Sequence, residues 1–227
     1  MNIALMYAMR SEIASLLRGD ETPLLQTVAG VEFYRIRPNV IACCGGVGKV
    51  NAAMSTQLLI SLYRPDLIIN VGVAGCFENV PIGTLVLADG FCQHDFDTSA
   101  IDGPEYEGVV FINGTGYKVF PTSDPEKART AMEAAGYSCR TGLVATGDWF
   151  ATDTPRARHI AEKFHPLLCE MEGGAVAHVC LRNGVPFMAV KSVSDCLFSD
   201  NDYYFNFPAA MERLGAVVLD FIGHLED

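Results

Sequence analysis

The sequence has no run of the ~18 apolar residues that a membrane-spanning helix needs. It also has no excess of basic residues, because 16 lysines and arginines stand against 27 acidic residues and give a formal net charge of −11. Such a charge disfavours binding to nucleic-acid backbones and to anionic membrane surfaces. The N-terminal segment lacks the basic start of a secretory signal peptide. We therefore predict a cytoplasmic protein with no membrane or nucleic-acid partner.

The eight cysteines lack the pattern of a disulfide framework. No CxxC pair occurs, Cys43 and Cys44 are adjacent, and most of the cysteines lie inside apolar runs. Cysteines placed in this way are typical of small buried side chains in a reducing cytosol. The sequence therefore predicts buried, free thiols.

Three common site patterns are missing as well. The glycine turn at 45–49 is not a nucleotide-phosphate loop, because Cys43 stands where the first glycine belongs and Val50 where Ser or Thr would bind magnesium. The turn is expected to let the backbone approach another group, with Lys49 exposed. The His and Asp residues of 94–97 have no second ligand cluster at metal-binding spacing, so we expect structural hydrogen bonds there. No histidine pairs with a Ser or Cys nucleophile, and no metal or organic cofactor is predicted.

The length and the hydrophobic pattern favour one α/β domain over residues 1–227, long enough to bury a full core. Apolar runs alternate with amphipathic stretches, which predicts a buried central sheet with helices on both faces, an α/β sandwich. A turn at 72–75 and a long irregular segment at 92–123 complete the pattern. Strands are predicted at 2–7, 31–37, 39–45, 67–71, 84–89, 139–146 and 186–193, and helices at 11–18, 49–63, 124–135, 155–164, 172–183 and 208–224.

Acidic residues stand at the ends of three apolar elements. Glu12 follows the first hydrophobic run, Glu172 is in the first turn of the helix predicted at 172–183, and Asp195 closes a late hydrophobic run. Carboxyl groups where buried elements meet solvent can hold the hydroxyls of a sugar and protonate a leaving group. Each acid also fits an ordinary role at a helix start or in a turn. Together the three favour a sugar-processing site.

Several short motifs follow one another along the chain. They are Ala8-Met9 with Glu12, Gly46-Val47-Gly48-Lys49, Asn70-Val71-Gly72-Val73-Ala74-Gly75, His94-Asp95 with Asp97, Thr146-Gly147-Asp148 with Phe150, Glu170-Met171-Glu172, Ala177-His178-Val179-Cys180 and Ser194-Asp195. In this order they resemble the 5′-methylthioadenosine/S-adenosylhomocysteine nucleosidases of the purine nucleoside phosphorylase superfamily. The resemblance covers essentially the whole chain. It implies a three-layer α/β/α sandwich with a mixed, largely buried central sheet, as in the nucleoside phosphorylases.

The resemblance implies hydrolysis of an N-glycosidic bond. The substrate would be 5′-methylthioadenosine, S-adenosylhomocysteine or 5′-deoxyadenosine, and the products would be adenine and a 5-substituted ribose. By this resemblance Asp195 protonates N7 of the purine and Glu12 deprotonates the attacking water. Glu172 accepts hydrogen bonds from the ribose hydroxyls, with Met171 against the sugar.

The resemblance also implies a set of binding residues around the nucleoside. Phe150 would stack on adenine and the backbone of Ala151 would contact the purine edge. Met9, Phe205 and, more weakly, Val47 would line an apolar pocket for the 5′-thio group. The complete substrate-binding set is Met9, Val47, Val73, Phe150, Ala151, Glu170, Met171, Glu172, Ser194 and Phe205.

Three positions depart from the pattern of the nucleosidases. Val73 stands where the family commonly has Ser, Arg10 replaces a common acid, and Lys191 replaces an Arg. The support for Glu172 expected from that Arg would become a point charge. These changes leave the acid–base set intact but make the 5′ substituent less certain.

Other functions remain open from the sequence. A related nucleosidase acting on another nucleoside, such as futalosine, fits the same motifs. A phosphate-dependent purine nucleoside phosphorylase would need cations around the anion, and Glu12 would repel phosphate. A non-catalytic nucleoside sensor would be expected to lose one catalytic acid. The resemblance further implies a homodimer, with the 92–123 segment near the partner's active site.

Overall fold

The computed structural model describes residues 1–14, 16–17, 22–199, 203–212 and 214–225, with the backbone alone described at 203–205. Within these residues the strands are β1 (Ile3–Tyr7), β2 (Leu24–Val28), β3 (Val31–Arg37), β4 (Val40–Cys44), β5 (Leu67–Cys76), β6 (Leu85–Gln93), β7 (Val110–Ile112), β8 (Thr115–Tyr117), β9 (Phe120–Pro121), β10 (Arg140–Thr146), β11 (Leu168–Glu170) and β12 (Phe187–Cys196). The helices are α1 (Arg10–Ile13), α2 (Lys49–Tyr63), α3 (Ser99–Asp102), α4 (Pro125–Ala134), α5 (Pro155–Phe164), α6 (Gly173–Asn183), α7 (Tyr203–Met211) and α8 (Leu214–Leu225).

A mixed sheet forms the centre of the fold. Across the described residues its strand order is β11-β10-β6-β12-β5-β1-β4-β3-β2, and β9 adds to β6. The pairs β1–β4, β1–β5, β5–β12, β6–β10 and β10–β11 are parallel, whereas β6–β12 and β5–β11 are antiparallel. The β5–β11 pairing joins the two ends of the strand series β5, β12, β6, β10 and β11. These strands therefore close into a ring, and β11 lies directly beside β5.

Helices cover both faces of the sheet. α2 and α6 pack on one face, where Leu59 and Val176 are fully buried. α1, α4, α7 and α8 pack on the other face, where Ile13, Met132 and Phe221 are fully buried. The strands between them are apolar on both sides, as expected for a sheet that is covered twice. The predicted α/β sandwich with a mixed, buried central sheet is confirmed.

The predicted turn at 72–75 was wrong, because β5 continues through it to Cys76. The two glycines serve close approach instead. A Cβ on Gly72 would lie 2.6 Å from Glu12 Oε1, and one on Gly75 would lie 3.0 Å from Asp195 Oδ2. Both carboxylates thus lie against a strand backbone that has no side chain at these positions.

Two helix predictions were also wrong at their ends. The first helix is α1, which ends at Ile13 rather than continuing to 18; residues 15 and 18–21 lie outside those described. The last helix is two helices, α7 and α8, and α7 includes residues before 208. After α7 ends at Met211, residue 212 forms a turn, and residue 213 lies outside those described. Apolar periodicity runs through both helices, so periodicity alone did not reveal the break.

The 92–123 segment is more ordered than predicted. It contains α3, a short 3₁₀ helix and the hairpin of β7 and β8. Asn113 and Gly114 form the hairpin turn, both with positive φ (50° and 84°), which is the turn that Asn-Gly favours. The strands β2 and β11 were not predicted. β2 is largely exposed and β11 has three residues, so neither carries a clear pattern.

All eight cysteines are free and six are buried, as predicted. Among the described residues, no helix combines the length and apolarity required to span a membrane. Asp124 accepts a hydrogen bond from the Lys127 N–H and begins α4, and Gly184 ends α6 in the left-handed region. These two helix boundaries follow the sequence signals expected for them.

Candidate active site

A cavity of about 290 Å³ opens where β5, β11 and β12 end. Glu12, Glu172 and Asp195 all line it, although they lie far apart in the sequence. The other predicted residues in its wall are Met9, Val47, Val73, Phe150, Ala151, Glu170, Met171 and Ser194. The side chain of Phe205 lies outside the described residues, so that prediction stays a prediction. The structure thus brings together every predicted site residue whose side chain it describes.

Glu12 is buried at the end of α1 and is held by backbone N–H groups. Its Oε2 accepts from Ala8 N at 3.1 Å and from Met9 N at 2.9 Å, and its Oε1 accepts from Val73 N at 3.1 Å. Burial raises the pKa of Glu12, while the bonds from Met9, Val73 and Ala8 and the charge of Lys191 oppose that rise. The carboxylate is therefore fixed in position by three donors that favour its charged form.

Asp195 reaches the cavity because β12 contains a bulge. Val193 pairs with Ala74 and Asp195 with Gly75, so Ser194 is an extra residue in β12. An extra residue of this kind turns the following side chain. Ser194 Oγ donates to Asp195 Oδ1 at 2.7 Å. Burial raises the pKa of Asp195, and the bond from Ser194 opposes the rise. Asp195 thus accepts its hydrogen bond from a hydroxyl, whereas Glu12 accepts hydrogen bonds from backbone N–H groups.

Glu172 caps α6 and contacts the glycine turn. Gly48 N donates to Glu172 Oε1 at 2.9 Å. Burial raises the pKa of Glu172, and the charge of Glu170 raises it further. Gly48 has φ of +95°, which glycine adopts without strain. The expectation that this turn lets its backbone approach another group is met by the Glu172 carboxylate.

Glu170 lines the cavity wall, but its carboxylate bonds to protein groups. Oε2 accepts from Lys191 Nζ at 2.8 Å and from Gly173 N at 2.8 Å, and Oε1 accepts from the hydroxyl of Thr146. Lys191 is 1% exposed. Its pKa is lowered by burial, but the charges of Glu170 and Glu172 outweigh that effect and raise it. Lys191 therefore forms its ion pair with Glu170. It acts on Glu172, which the sequence had predicted it to support, as a nearby positive charge that lowers the pKa of that residue.

The prediction that Lys49 is exposed was wrong. Lys49 Nζ lies 2.6 Å from Asp95 Oδ1, and both side chains are mostly buried. Asp95 was expected to bond within its own loop, yet it also accepts from Asp148 N at 2.9 Å. Asp97 does bond locally, to Ser99 N at 2.8 Å. The partners of Lys49 are distant in sequence, so its spacing in the glycine turn carried no signal for them.

Five wall residues were missed by the sequence reasoning: Ala8, Ala74, Gly75, Trp149 and Cys169. Trp149 is the single tryptophan of the chain. It lies edge-on to the buried imidazole of His94, with ring centroids 6.3 Å apart, and its other neighbour is the Arg156 guanidinium, 4.6 Å from the ring centroid. Burial lowers the pKa of His94 to about 4, so its imidazole is neutral near neutral pH. Trp149 could have been predicted as a wall residue, because it directly precedes Phe150 in the sequence.

A family model described as the phosphorylase superfamily matches residues 2–223 of the chain. The chain belongs to the phosphorylase superfamily. A 5′-methylthioadenosine/S-adenosylhomocysteine nucleosidase of Shewanella halifaxensis is 35% identical over 212 residues, which cover 91% of each chain. The family resemblance predicted from the motifs is therefore confirmed.

Solved structures of the superfamily resemble the fold along its whole length. A nucleosidase of the same name from Colwellia psychrerythraea, in complex with adenine, has a TM-score of 0.85 and 27% identity, covering 99% of this chain and 96% of that one. The futalosine hydrolase of Helicobacter pylori has a TM-score of 0.84 and 27% identity, covering 100% of this chain and 97% of that one. Proteins named for two different substrates thus share this fold, and both have the same sequence identity to the chain.

This member of the phosphorylase superfamily has an acidic cavity. Among the residues that the structure describes, no Lys, Arg or His lines it. Arg10 is turned away and pairs with Glu32, and Lys191 is buried beneath the wall against Glu170. Such a cavity can stabilise positive charge on a sugar and donate a proton.

Proposed function

We propose that the protein hydrolyses the N-glycosidic bond of 5′-methylthioadenosine, S-adenosylhomocysteine or 5′-deoxyadenosine. The products are adenine and a 5-substituted ribose. The observation that carries the proposal is the meeting of Glu12, Glu172 and Asp195 in one cavity of about 290 Å³. The nucleosidase relatives and the adenine-bound structure support the same reaction.

Asp195 acts as the general acid of the proposed reaction. Adenine leaves more readily when N7 is protonated, so the group beside the purine must carry a proton near neutral pH. The raised pKa of Asp195, caused by burial, supports this role. A positioned acid of this kind contributes on the order of 10²–10⁴-fold to the rate.

Glu12 acts as the general base that deprotonates the attacking water. The three N–H groups that bind it support this role, because they favour the carboxylate and hold its orientation. Bond cleavage leaves an oxocarbenium-like sugar, and the negative charge of Glu12 stabilises it electrostatically. Glu172 also accepts hydrogen bonds from the ribose hydroxyls, with Met171 packed against the ring.

The remaining wall residues bind the base and the 5′ group in this proposal. Phe150 stacks on adenine, the Ala151 backbone contacts the purine edge, and Ser194 bonds to Asp195. Met9 and, more weakly, Val47 form the apolar 5′ side, to which the family resemblance adds Phe205, and Val73 is assigned to the ribose side. Glu170 contributes through Lys191 and the start of α6, since its carboxylate oxygens already accept protein hydrogen bonds.

Hydrolysis of futalosine is the second candidate. It is favoured by the likeness to the futalosine hydrolase, which has the same 27% identity as the adenine-bound nucleosidase. Val73 adds an apolar group to the cavity where the nucleosidase family commonly has the hydroxyl of Ser. The residues on the sugar side therefore do not distinguish futalosine from methylthioadenosine as the substrate. Phosphorolysis is disfavoured by the lack of a cation among the described lining residues.

A substrate panel tests the proposal. The purified protein is incubated with methylthioadenosine, S-adenosylhomocysteine, 5′-deoxyadenosine, adenosine, inosine and futalosine, with and without phosphate. We expect free adenine and unphosphorylated methylthioribose from methylthioadenosine in both conditions. A sugar 1-phosphate formed only with phosphate would contradict hydrolysis. A higher kcat/KM for futalosine than for methylthioadenosine would favour the second candidate.

The proposed assembly is a homodimer in the cytoplasm. Ile101 and Phe111, in the segment expected near a partner's active site, are 89% and 51% exposed. Val50 and Met54 on α2 are exposed as well. Val50 and Met54 lie four residues apart on one helix and so share a face, and an exposed apolar face favours a protein contact. The eight free thiols favour a reducing compartment.

A further inference from the structure

Three charged residues form a closed ring of hydrogen bonds behind the cavity wall. Lys49 Nζ donates to Asp95 Oδ1 at 2.6 Å. Asp95 Oδ2 accepts from Asp148 N at 2.9 Å, and Asp148 Oδ1 accepts from Lys49 N at 2.7 Å. The ring therefore joins the start of α2, the turn after β6 and the loop after β10. None of the three residues lines the nucleoside cavity.

The ring connects two different walls of that cavity. On one side, Gly48 directly precedes Lys49 and its N–H donates to Glu172, the proposed ribose ligand, at 2.9 Å. On the other side, Asp148 directly precedes Trp149 and Phe150 in the cavity wall. A movement of either loop relative to the other would change the distance between the sugar-binding and base-binding groups.

The local chemistry favours this geometry. Burial alone would raise the pKa of Asp95, but the bonds from Lys49 and the Asp148 N–H outweigh it and lower that pKa. The Asp148 carboxylate lies at the N-terminus of a 15-residue helix, where negative charge is favourable. A Cβ on Gly48 would lie 3.0 Å from Asp148 Oδ1, so glycine allows this close approach as well as the positive φ.

We propose that Lys49, Asp95 and Asp148 form a clasp that positions the ribose-binding and base-binding walls of the cavity relative to each other. The residues of the clasp are positioning residues, and the inference rests on the proposed nucleosidase function. The Lys49–Asp95 pair is mostly buried, so opening it should lower stability as well, and stability is therefore measured separately from catalysis. Small misplacements of substrate-positioning groups reduce catalysis strongly, by about 10²-fold for 1 Å.

The clasp makes a specific prediction about ligands. A nucleoside contacts both walls at once, whereas free adenine contacts the base wall alone. Opening the clasp should therefore weaken nucleoside binding much more than adenine binding. Trp149 is the single tryptophan and lies in the wall, so its fluorescence can report adenine and nucleoside binding directly.

The experiment compares Lys49→Met, Asp95→Asn and Lys49→Arg with the wild-type protein. For the first two we expect KM for methylthioadenosine to rise roughly tenfold or more and kcat to fall, while Kd for adenine changes by less than about threefold. Lys49→Arg, which keeps a donor for Asp95, should restore most of the activity. The double variant Lys49→Met/Asp95→Asn should be no worse than either single variant, because both open the same ring.

Lys163→Met is the matched control. Lys163 pairs with Glu107 at 3.4 Å, and the two side chains are 26% and 18% exposed, close to the 19% and 16% of Lys49 and Asp95. It should leave KM, kcat and adenine binding unchanged. The unfolding midpoint of every variant is measured alongside.

Two results would overturn the clasp. In the first, the wild-type protein is active and the KM and kcat of the clasp variants differ from its values by less than twofold. The other is a parallel loss of adenine binding, nucleoside binding and thermal stability, which a purely structural role would produce. A wild type that releases no adenine from any nucleoside would instead reject the proposed function, and nucleoside binding followed through Trp149 would still test the clasp.

Discussion

At the scale of single residues, two carboxyl groups with raised pKa values need opposite protonation states. Glu12 accepts three backbone N–H bonds, which stabilise its carboxylate. Asp195 has the Ser194 hydroxyl as its neighbour, and a hydroxyl can either donate to a carboxylate or accept from a protonated carboxyl. The different hydrogen-bond partners support the roles of base and acid that the proposed function gives to Glu12 and Asp195.

The pH dependence of kcat/KM follows from these two groups. Activity should fall at low pH as Glu12 becomes protonated, and at high pH as Asp195 loses its proton. Glu12→Gln and Asp195→Asn should each lower kcat by about 10²–10⁴-fold. Because the Ser194 bond lowers the pKa of Asp195, Ser194→Ala should move the alkaline limb to higher pH. An alkaline limb unmoved in Ser194→Ala would argue that another group provides the acid.

At the scale of elements, a buried ion pair links β12 to the start of α6. Lys191 and Glu170 have side chains that are each 2% exposed. Glu170 also accepts from the backbone N–H of Glu172 and Gly173, so it fixes the residue that the proposal assigns to the ribose. The strand β11, with three residues, places Glu170 beside β5 through its antiparallel pairing.

Removal of Lys191 should destabilise the fold. Lys191→Met leaves the Glu170 charge buried without its cation, and breaking such a pair costs about 3–5 kcal/mol. The double variant Lys191→Met/Glu170→Gln should recover a large part of that loss, because the unpaired charge is gone. Urea unfolding monitored by circular dichroism measures both.

The control for this ion pair is Arg140→Met. Arg140 pairs with Glu78 on the surface, where the side chains are 40% and 58% exposed, and such pairs contribute about 0–1 kcal/mol. If Lys191→Met costs no more than Arg140→Met, Lys191 is not required to compensate Glu170.

At the scale of the whole molecule, α2 presents its apolar stripe to the surface. Val50, Met54 and Leu62 are 79%, 37% and 43% exposed, whereas the buried face of the helix contains Ser55 and Thr56. The periodicity correctly predicted a helix at 49–63. Ala52 and Leu59 of α2 are buried in the core, whereas Val50, Met54 and Leu62 remain exposed. An apolar stripe of this kind favours a second protein surface against α2.

The dimer prediction follows from that stripe. The wild-type protein should have the mass of two chains in light scattering after gel filtration. Val50→Glu/Met54→Glu should shift it toward one chain, because desolvated charges disfavour an apolar contact. Leu24→Glu, at a side chain 51% exposed on β2, should leave the mass unchanged. A wild type with the mass of one chain would reject the homodimer.

Much of the fold and the site could be predicted from local sequence. The glycine after Asn183 ends α6, Asp124 begins α4, and the strands of the core follow continuous apolar runs. The family motifs indicated which side chains should surround the cavity, and those that the structure describes do line it. Signals of this kind are local because they depend on the conformation of a few adjacent residues.

Tertiary structure alone decided how those residues meet. The Glu12 carboxylate is held by Val73 from β5, Lys49 pairs with Asp95, and the ring of strands closes through β11. Each contact joins residues that are distant along the chain, so its geometry depends on how the sheet closes and how the helices pack. The sequence determined which chemical groups the site contains. The packing of the sheet determined their spacing, their burial and therefore their protonation.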